Sequence, residues 1–255
     1  MTSFETIKYD VRNGIALIIF NRPKVLNAMN RRMWLEIADA INRASDDSEV
    51  KVLIFAGEGR AFSTGADLKE SPKRTQEEYR EYLCVLQRIS RVIIDFPKPT
   101  IAAINGYALG SGYELALACD IRIAAEDARI GSPEARVSSS VTGGATRLLV
   151  DLVGPGKAKE LLFTTEYISG AEAARIGLVN KTVAGERLME EALSLGRKIA
   201  PHSALSMRLI KKGINMSREV SLSALMDYEI EACLSAVFSD ERKARIKEFE
   251  ERKRM

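Results

Sequence analysis

The chain carries a single histidine, His202, in 255 residues. It stands in Ala200-Pro201-His202-Ser203-Ala204, where proline and serine mark a helix start at the surface. So little imidazole removes histidine-based zinc sites and the Ser-His-Asp and Cys-His forms of nucleophilic catalysis from consideration. Cysteine is scarce too. Cys84, Cys119 and Cys233 are odd in number, widely spaced and set in apolar helical surroundings, the pattern of reduced, buried thiols in an intracellular protein. No apolar run approaches the ~20 residues that span a bilayer. Met1-Thr2-Ser3-Phe4-Glu5-Thr6 has neither the basic flank nor the apolar stretch of a secretory leader, so a soluble, cytoplasmic protein is expected. Charge of one sign is also lacking: 38 basic residues face 35 acidic ones for a net +3, which points to neither a nucleic-acid nor a membrane partner. What remains is a chain that is 46% hydrophobic, long enough to bury a sizeable core.

The order of elements is legible from period and punctuation. Phe4 to Asp10 alternates, Asn13-Gly14 signals a type I′ turn, and Ile15 to Phe20 is an apolar run, so a β-hairpin opens the chain. Met33, Trp34, Ile37, Ala38 and Ile41 recur at helical spacing, and Val50 to Ala56 follows as a buried strand. A helix fits Glu77 to Ile94, stopped by Pro97 and Pro99. Thr100 to Ile104, Ile121 to Ala124 and Arg129 to Gly131 are strands, with a short helix through Glu114 to Cys119 between the first two. Strand, strand, helix is thus repeated, which predicts an α/β layered core with right-handed crossovers. After Gly143 the pattern turns largely helical, and a soft boundary is placed near Pro201.

Three segments carry candidate chemistry. Asn105-Gly106-Tyr107-Ala108-Leu109-Gly110-Ser111-Gly112-Tyr113-Glu114 follows an apolar strand and opens a helix, where unpaired backbone N–H groups can receive an anion. Gly131-Ser132-Pro133-Glu134 supplies a second carboxylate. Ala61-Phe62-Ser63-Thr64-Gly65-Ala66-Asp67-Leu68 is a second glycine turn that can aim an N–H at the same place. Two carboxylates on opposite sides of a small site move protons in opposite directions, as adding water to a double bond requires. The helix dipole favours an ionised Glu114, the better base, whereas burial is expected to keep Glu134 protonated as the acid. Each segment alone also reads as a plain turn or a solvated charge, and Glu134 alone reads better as an ordinary loop glutamate.

Taken with Asn21-Arg22-Pro23, Leu26-Asn27-Ala28-Met29, Cys119-Asp120-Ile121-Arg122 and Gly177-Leu178-Val179-Asn180, these segments resemble the crotonase, or enoyl-CoA hydratase/isomerase, superfamily, and the resemblance runs from the first hairpin to the C-terminal helices. It implies an α/β, crotonase-like spiral of repeated β-β-α units with a C-terminal helical element. Residues 1–200 would form the core with the CoA-thioester site, and 201–255 an oligomerisation element of a homotrimer or homohexamer. It implies an enoyl-CoA hydratase, a lyase of fatty acid metabolism. Backbone N–H groups of Ala66 and Ser111 would hold the thioester oxygen, Glu114 and Glu134 would activate water and deliver a proton, and Lys24, Val25, Leu26, Ala61 and Ser63 would cradle the adenine end of coenzyme A. Coenzyme A enters as part of the acyl-CoA substrate, so no further cofactor and no metal are implied.

The chain departs from the common hydratase pattern after Glu134, where Ser138 and Val141 replace a usual glycine and proline. The acyl pocket is therefore expected to differ from that of a short-chain crotonyl-CoA hydratase. Three alternatives use the same fold: a Δ3,Δ2-enoyl-CoA isomerase, which needs one carboxylate at the place of Glu134, an acyl-CoA thioester hydrolase, and a non-catalytic RNA-binding relative. Retention of both glutamates argues for hydration.

Overall fold

Asn13 and Gly14 take φ of 51° and 76°, the pair of left-handed residues that a type I′ turn demands. They join β1 (Ile7–Arg12) to β2 (Ile15–Phe20) in an antiparallel pair. The computed structural model describes residues 4–70 and 74–254; Met1, Thr2 and Ser3, which open the stretch read above for a leader, lie outside the described residues. Helix α1 (Arg31–Asp46) starts where Asn30 accepts the Met33 N–H in its side chain, a standard N-cap, and buries Met33, Trp34, Ile37 and Ile41.

Three β-β-α units then follow. β3 (Val52–Gly57) and β4 (Ala61–Ser63) precede α2 (Gln76–Ile94), β5 (Thr100–Ile104) and β6 (Tyr107–Leu109) precede α3 (Ser111–Ala118), and β7 (Ile121–Ala125) and β8 (Arg129–Gly131) precede α4 (Ala145–Thr164). β9 (Ile168–Ser169), α5 (Gly170–Arg175), β10 (Lys181–Val183) and α6 (Leu188–Ile199) complete this part of the chain. The first strand of each unit joins a six-stranded sheet ordered β1-β2-β3-β5-β7-β10, and the second joins a four-stranded sheet ordered β4-β6-β8-β9. From β2 to β10 the larger sheet is parallel. Its central strands β3 and β5 are buried almost throughout, as a parallel sheet covered on both faces requires. Because consecutive units add neighbouring strands to both sheets, the turns between β4 and α2 and between β6 and α3 arrive side by side. That adjacency builds the site.

The chain divides into two compact units, one running to Ala200 without Pro97–Pro99, the other made of Pro97–Pro99 and the chain from Pro201 on. In the second, α7 (Ala204–Met216) packs on α8 (Leu222–Val237), and Tyr228 donates its hydroxyl to the Leu209 carbonyl at 2.8 Å. α9 (Asp240–Arg254) follows, and Ser203 donates to Glu241 at 2.8 Å. On α8, Leu222, Met226, Ile230 and Leu234 are between 44% and 73% exposed; four-residue spacing sets them along one side of the helix.

Candidate active site

The turn after β4 is shaped by its own hydrogen bonds. Gly65 donates to Ser63 Oγ at 3.1 Å and accepts from the Met29 N–H at 2.8 Å, and Asp67 N–H donates to the Met29 carbonyl at 3.1 Å. Both backbone neighbours of Ala66 are thereby engaged, while among the described residues the Ala66 N–H has no acceptor. Gly65 sits at φ 88°, and a Cβ there would lie 2.8 Å from the Leu109 carbonyl and 3.0 Å from Ser111 N. Only glycine satisfies both the backbone and the contact. The turn carrying Ala66 therefore touches the start of α3, whose first residue, Ser111, also has no acceptor for its N–H among the described residues. Two unpaired donors on touching turns, one at a helix N-terminus, form an arrangement that can receive an oxyanion.

Glu114 lies in the first turn of α3, a helix whose every residue is buried, and is itself 4% exposed. Its carboxylate accepts the Thr142 N–H at 2.5 Å and the Thr142 hydroxyl at 2.6 Å. Burial raises its pKa, the two Thr142 donors pull it down, the like charge of Glu134 raises it, and the net direction is upward. Glu134 opens a short 3-10 turn, Glu134–Val137, and accepts from the Ser132 hydroxyl. A Cβ at Gly110 would lie 2.9 Å from Glu134 Oε1, so this carboxylate reaches the residue that precedes the Ser111 donor. Tyr113 lies under the field of both glutamates; burial first, then these two charges, raise its pKa against the pull of Arg122. Burial thus falls on Glu114 rather than on Glu134, the reverse of the sequence expectation. Glu114 lies within a wholly buried helix and is capped by the turn at Thr142, whereas Glu134 sits half-buried at the edge of an exposed turn.

Lys24 and Val25 are exposed and Leu26 half-buried. Leu26 and Asn27 take consecutive left-handed conformations, φ 53° and 55°, a strained pair that the surroundings must hold. Ala61 and Ser63 are fully buried. The Ser63 hydroxyl donates to the Asn27 carbonyl at 2.8 Å and the Ala61 carbonyl accepts from Asn27 Nδ2 at 2.7 Å, so both brace the 24–27 loop from beneath. Asn27, also fully buried, accepts the Arg22 N–H at 2.8 Å and donates a further bond to the Glu58 carbonyl at 3.0 Å. Arg22 in turn pairs with Asp67 at 2.9 Å, beside Ala66. Arg22, Asn27, Asp67 and Thr142 thus position the site without having been given roles from sequence. The first three stand in motifs that marked the resemblance, while nothing local distinguishes Thr142. Ser138 is exposed at φ 54°, a left-handed position at which glycine is at ease, and Val141 packs half-buried against the core.

A separate cleft of about 610 Å³ runs along α2, lined by Arg74, Tyr79, Arg80 and Cys84 among others; it shares no residue with the carboxylate site. Among the described residues, no group of three or more His, Cys, Asp or Glu is placed to hold a metal ion, and no helix is long and apolar enough to cross a membrane.

Paired backbone donors beside two carboxylates, on a two-sheet α/β spiral, define a protein equipped to stabilise an enolate and to move protons around it. The chain belongs to the enoyl-CoA hydratase/isomerase family, whose pattern it matches over residues 10–255. It is 40% identical to a crotonyl-CoA hydratase of Syntrophomonas wolfei across 90% of this chain and 89% of that one. It is 36% identical to a short-chain-enoyl-CoA hydratase of Clostridium acetobutylicum across 94% and 93%. The solved enoyl-CoA hydratase of Bacillus anthracis superimposes with a TM-score of 0.93 at 33% identity, covering 97% of each chain.

Proposed function

We propose that the protein is an enoyl-CoA hydratase that adds water reversibly across the double bond of a 2-enoyl-CoA thioester. The observation that carries this reading is the placement of two carboxylates, Glu114 and Glu134, around the turn whose Ser111 N–H is unpaired and which touches the turn bearing the Ala66 N–H. Glu114, ionised, takes a proton from water as its oxygen bonds to the β-carbon. The π electrons move to the thioester oxygen, where the Ala66 and Ser111 N–H groups receive the charge, and Glu134 delivers a proton to the α-carbon as the enolate collapses. Reprotonation of Glu134 and deprotonation of Glu114 return the site to its start, so water and thioester alone balance the reaction and no metal or nicotinamide enters it. An isomerase, which shuttles one proton, leaves Glu114 without a task; retention of both carboxylates favours hydration.

The exposed Lys24 and Val25, with Leu26, receive the adenine end of coenzyme A, and Ala61 and Ser63 support them through Asn27. The unit from Pro201 on serves self-association, with the apolar side of α8 as its contact, in a homotrimer or homohexamer. The three cysteines are unbridged, in keeping with a cytoplasmic location, although only Cys119 is buried as expected and Cys84 and Cys233 are exposed.

The test is an assay of the purified protein against a panel of 2-enoyl-CoA and 3-hydroxyacyl-CoA thioesters, following loss of the conjugated enoyl absorbance and release of free CoA. Reversible loss of absorbance without CoA release is expected, with crotonyl-CoA used but not preferred. CoA release as the main event would replace this reading with thioester hydrolysis.

A further inference from the structure

Thr142 is contributed by the turn between the Glu134–Val137 3-10 turn and α4, 28 residues from Glu114 in sequence, yet it makes both hydrogen bonds that the Glu114 carboxylate accepts among the described residues. One donor goes to each oxygen, N–H to Oε1 and hydroxyl to Oε2, which fixes the plane of the carboxylate as a single donor cannot. The turn is itself held from both sides. Val141 packs against the core, and the Thr142 carbonyl accepts the Ala145 N–H at 2.9 Å at the entry to α4. At Gly143 a side chain would meet Ser90 Oγ at 2.7 Å and Glu114 Cβ at 3.4 Å, so the turn is wedged between α2 and α3 and its two donors are fixed before substrate arrives.

We propose that Thr142 is a positioning residue for Glu114, holding the carboxylate in one orientation and in its charged form through the hydroxyl and the backbone N–H together. The inference rests on the hydratase reading, in which Glu114 must be ionised to accept a proton from water. A carboxylate offers about four lone-pair sites; Thr142 occupies one on each oxygen and leaves the others for the water. The environment otherwise opposes ionisation. Burial disfavours the charge, and Glu134 in its charged form would repel it; the uncharged Ser90 of α2 adjoins the Gly143 turn, and the neighbouring Tyr113 is a buried phenol with a raised pKa. The donors of Thr142 are what offset these effects.

Thr142→Val removes the hydroxyl, keeps the N–H and preserves the branched shape; Thr142→Ser restores the hydroxyl. Two readouts are needed. In the first, the protonated carboxyl band of Glu114, identified by its loss in Glu114→Gln, is titrated by infrared difference spectroscopy without substrate. In the second, kcat/KM for an enoyl-CoA thioester is followed against pH. Since a base fails as pH falls through its pKa, Thr142→Val should move both the carboxyl titration and the acidic limb of the rate profile to higher pH. It should lower kcat by about tenfold to a hundredfold at the wild-type optimum, leave KM near the wild-type value, and be reversed by Thr142→Ser. Should Thr142→Val fail to fold, Thr142→Ala carries the same comparison. A Glu114 carboxyl that titrates at the wild-type pH in the variant overturns the proposal, as does a loss of kcat that Thr142→Ser does not recover. An upward shift in a protein that hydrates no enoyl-CoA thioester supports the Thr142 contact and overturns the hydratase reading instead.

Discussion

At the residue scale the division of labour is between groups that must be a given side chain and groups that need only a backbone. Glu114 and Glu134 are of the first kind. Glutamine keeps the shape and neutral hydrogen bonding of either carboxyl but neither takes nor gives the proton, so Glu114→Gln and Glu134→Gln are each expected to lower kcat by ~100-fold or more. Folding should be unchanged, as judged by Tm, and indifference of turnover to either substitution would remove that residue from the mechanism. Ser111 is of the second kind: its N–H is the proposed donor, and no hydrogen bond of its hydroxyl enters the mechanism. Ser111→Gly should therefore retain most of the activity, whereas loss of an oxyanion donor itself costs ~100- to 1,000-fold. A collapse of kcat in Ser111→Gly, with the protein folded, would shift the role from the backbone to the hydroxyl.

At the scale of elements, the oxyanion turn depends on a loop that contacts it through buried polar groups. Asn27 satisfies the Arg22 N–H and the Glu58 and Ala61 carbonyls while holding a left-handed backbone. Replacing it with alanine orphans three backbone groups, each worth ~1–3 kcal/mol when left unpaired and buried. Asn27→Ala is thus expected to destabilise the fold by at least ~2 kcal/mol in urea unfolding; a change under ~0.5 kcal/mol would show that water or the chain re-satisfies these groups and that the loop is not held as described. None of this long-range bracing is legible locally. What is legible is where pattern and punctuation agree: the Asn13-Gly14 turn, the helical spacing of Met33, Trp34, Ile37 and Ile41, and the apolar runs of β2 and β5 fall where their residues put them. β4 and β6 are hidden because three residues carry no period and adjoin glycine turns. Gly154-Pro155-Gly156 reads as a break, and the chain does kink there: Gly154 leaves helical φ/ψ at 77° and 162°, and Pro155 sits at the start of the second helical segment, a position that proline tolerates. Both glutamates and both donor turns could be picked out from sequence, but which carboxylate is buried could not. That depends on the Thr142 turn, which reaches Glu114 only once the chain is folded.

At the scale of the whole molecule the question is what the α8 side chains are for. A solvated helix of a monomer has no cause to display Leu222, Met226, Ile230 and Leu234 in sequence along one side, with Phe238 just beyond at 74% exposure. Scattered exposed leucines are ordinary, but a continuous apolar strip marks a surface that is covered in the working protein. Burying such side chains stabilises by ~1.5–3 kcal/mol each, and a symmetric contact counts every one once per protomer, enough to hold an assembly at micromolar concentration. A second copy is the occupant proposed here, so the protein should sediment as a trimer or hexamer. Ile230→Glu, which sets a charge in the middle of the strip, should shift it to a smaller species at the same concentration without changing the helical signal in circular dichroism. Because Glu114, Glu134, Ala66 and Ser111 all lie in the unit that ends at Ala200, the dissociated variant also reports whether that unit's site is sufficient alone: retained kcat with a smaller particle assigns α8 to assembly only. A wild-type protein that sediments as a monomer at every concentration tested would leave the strip to some other partner and remove self-association from the reading.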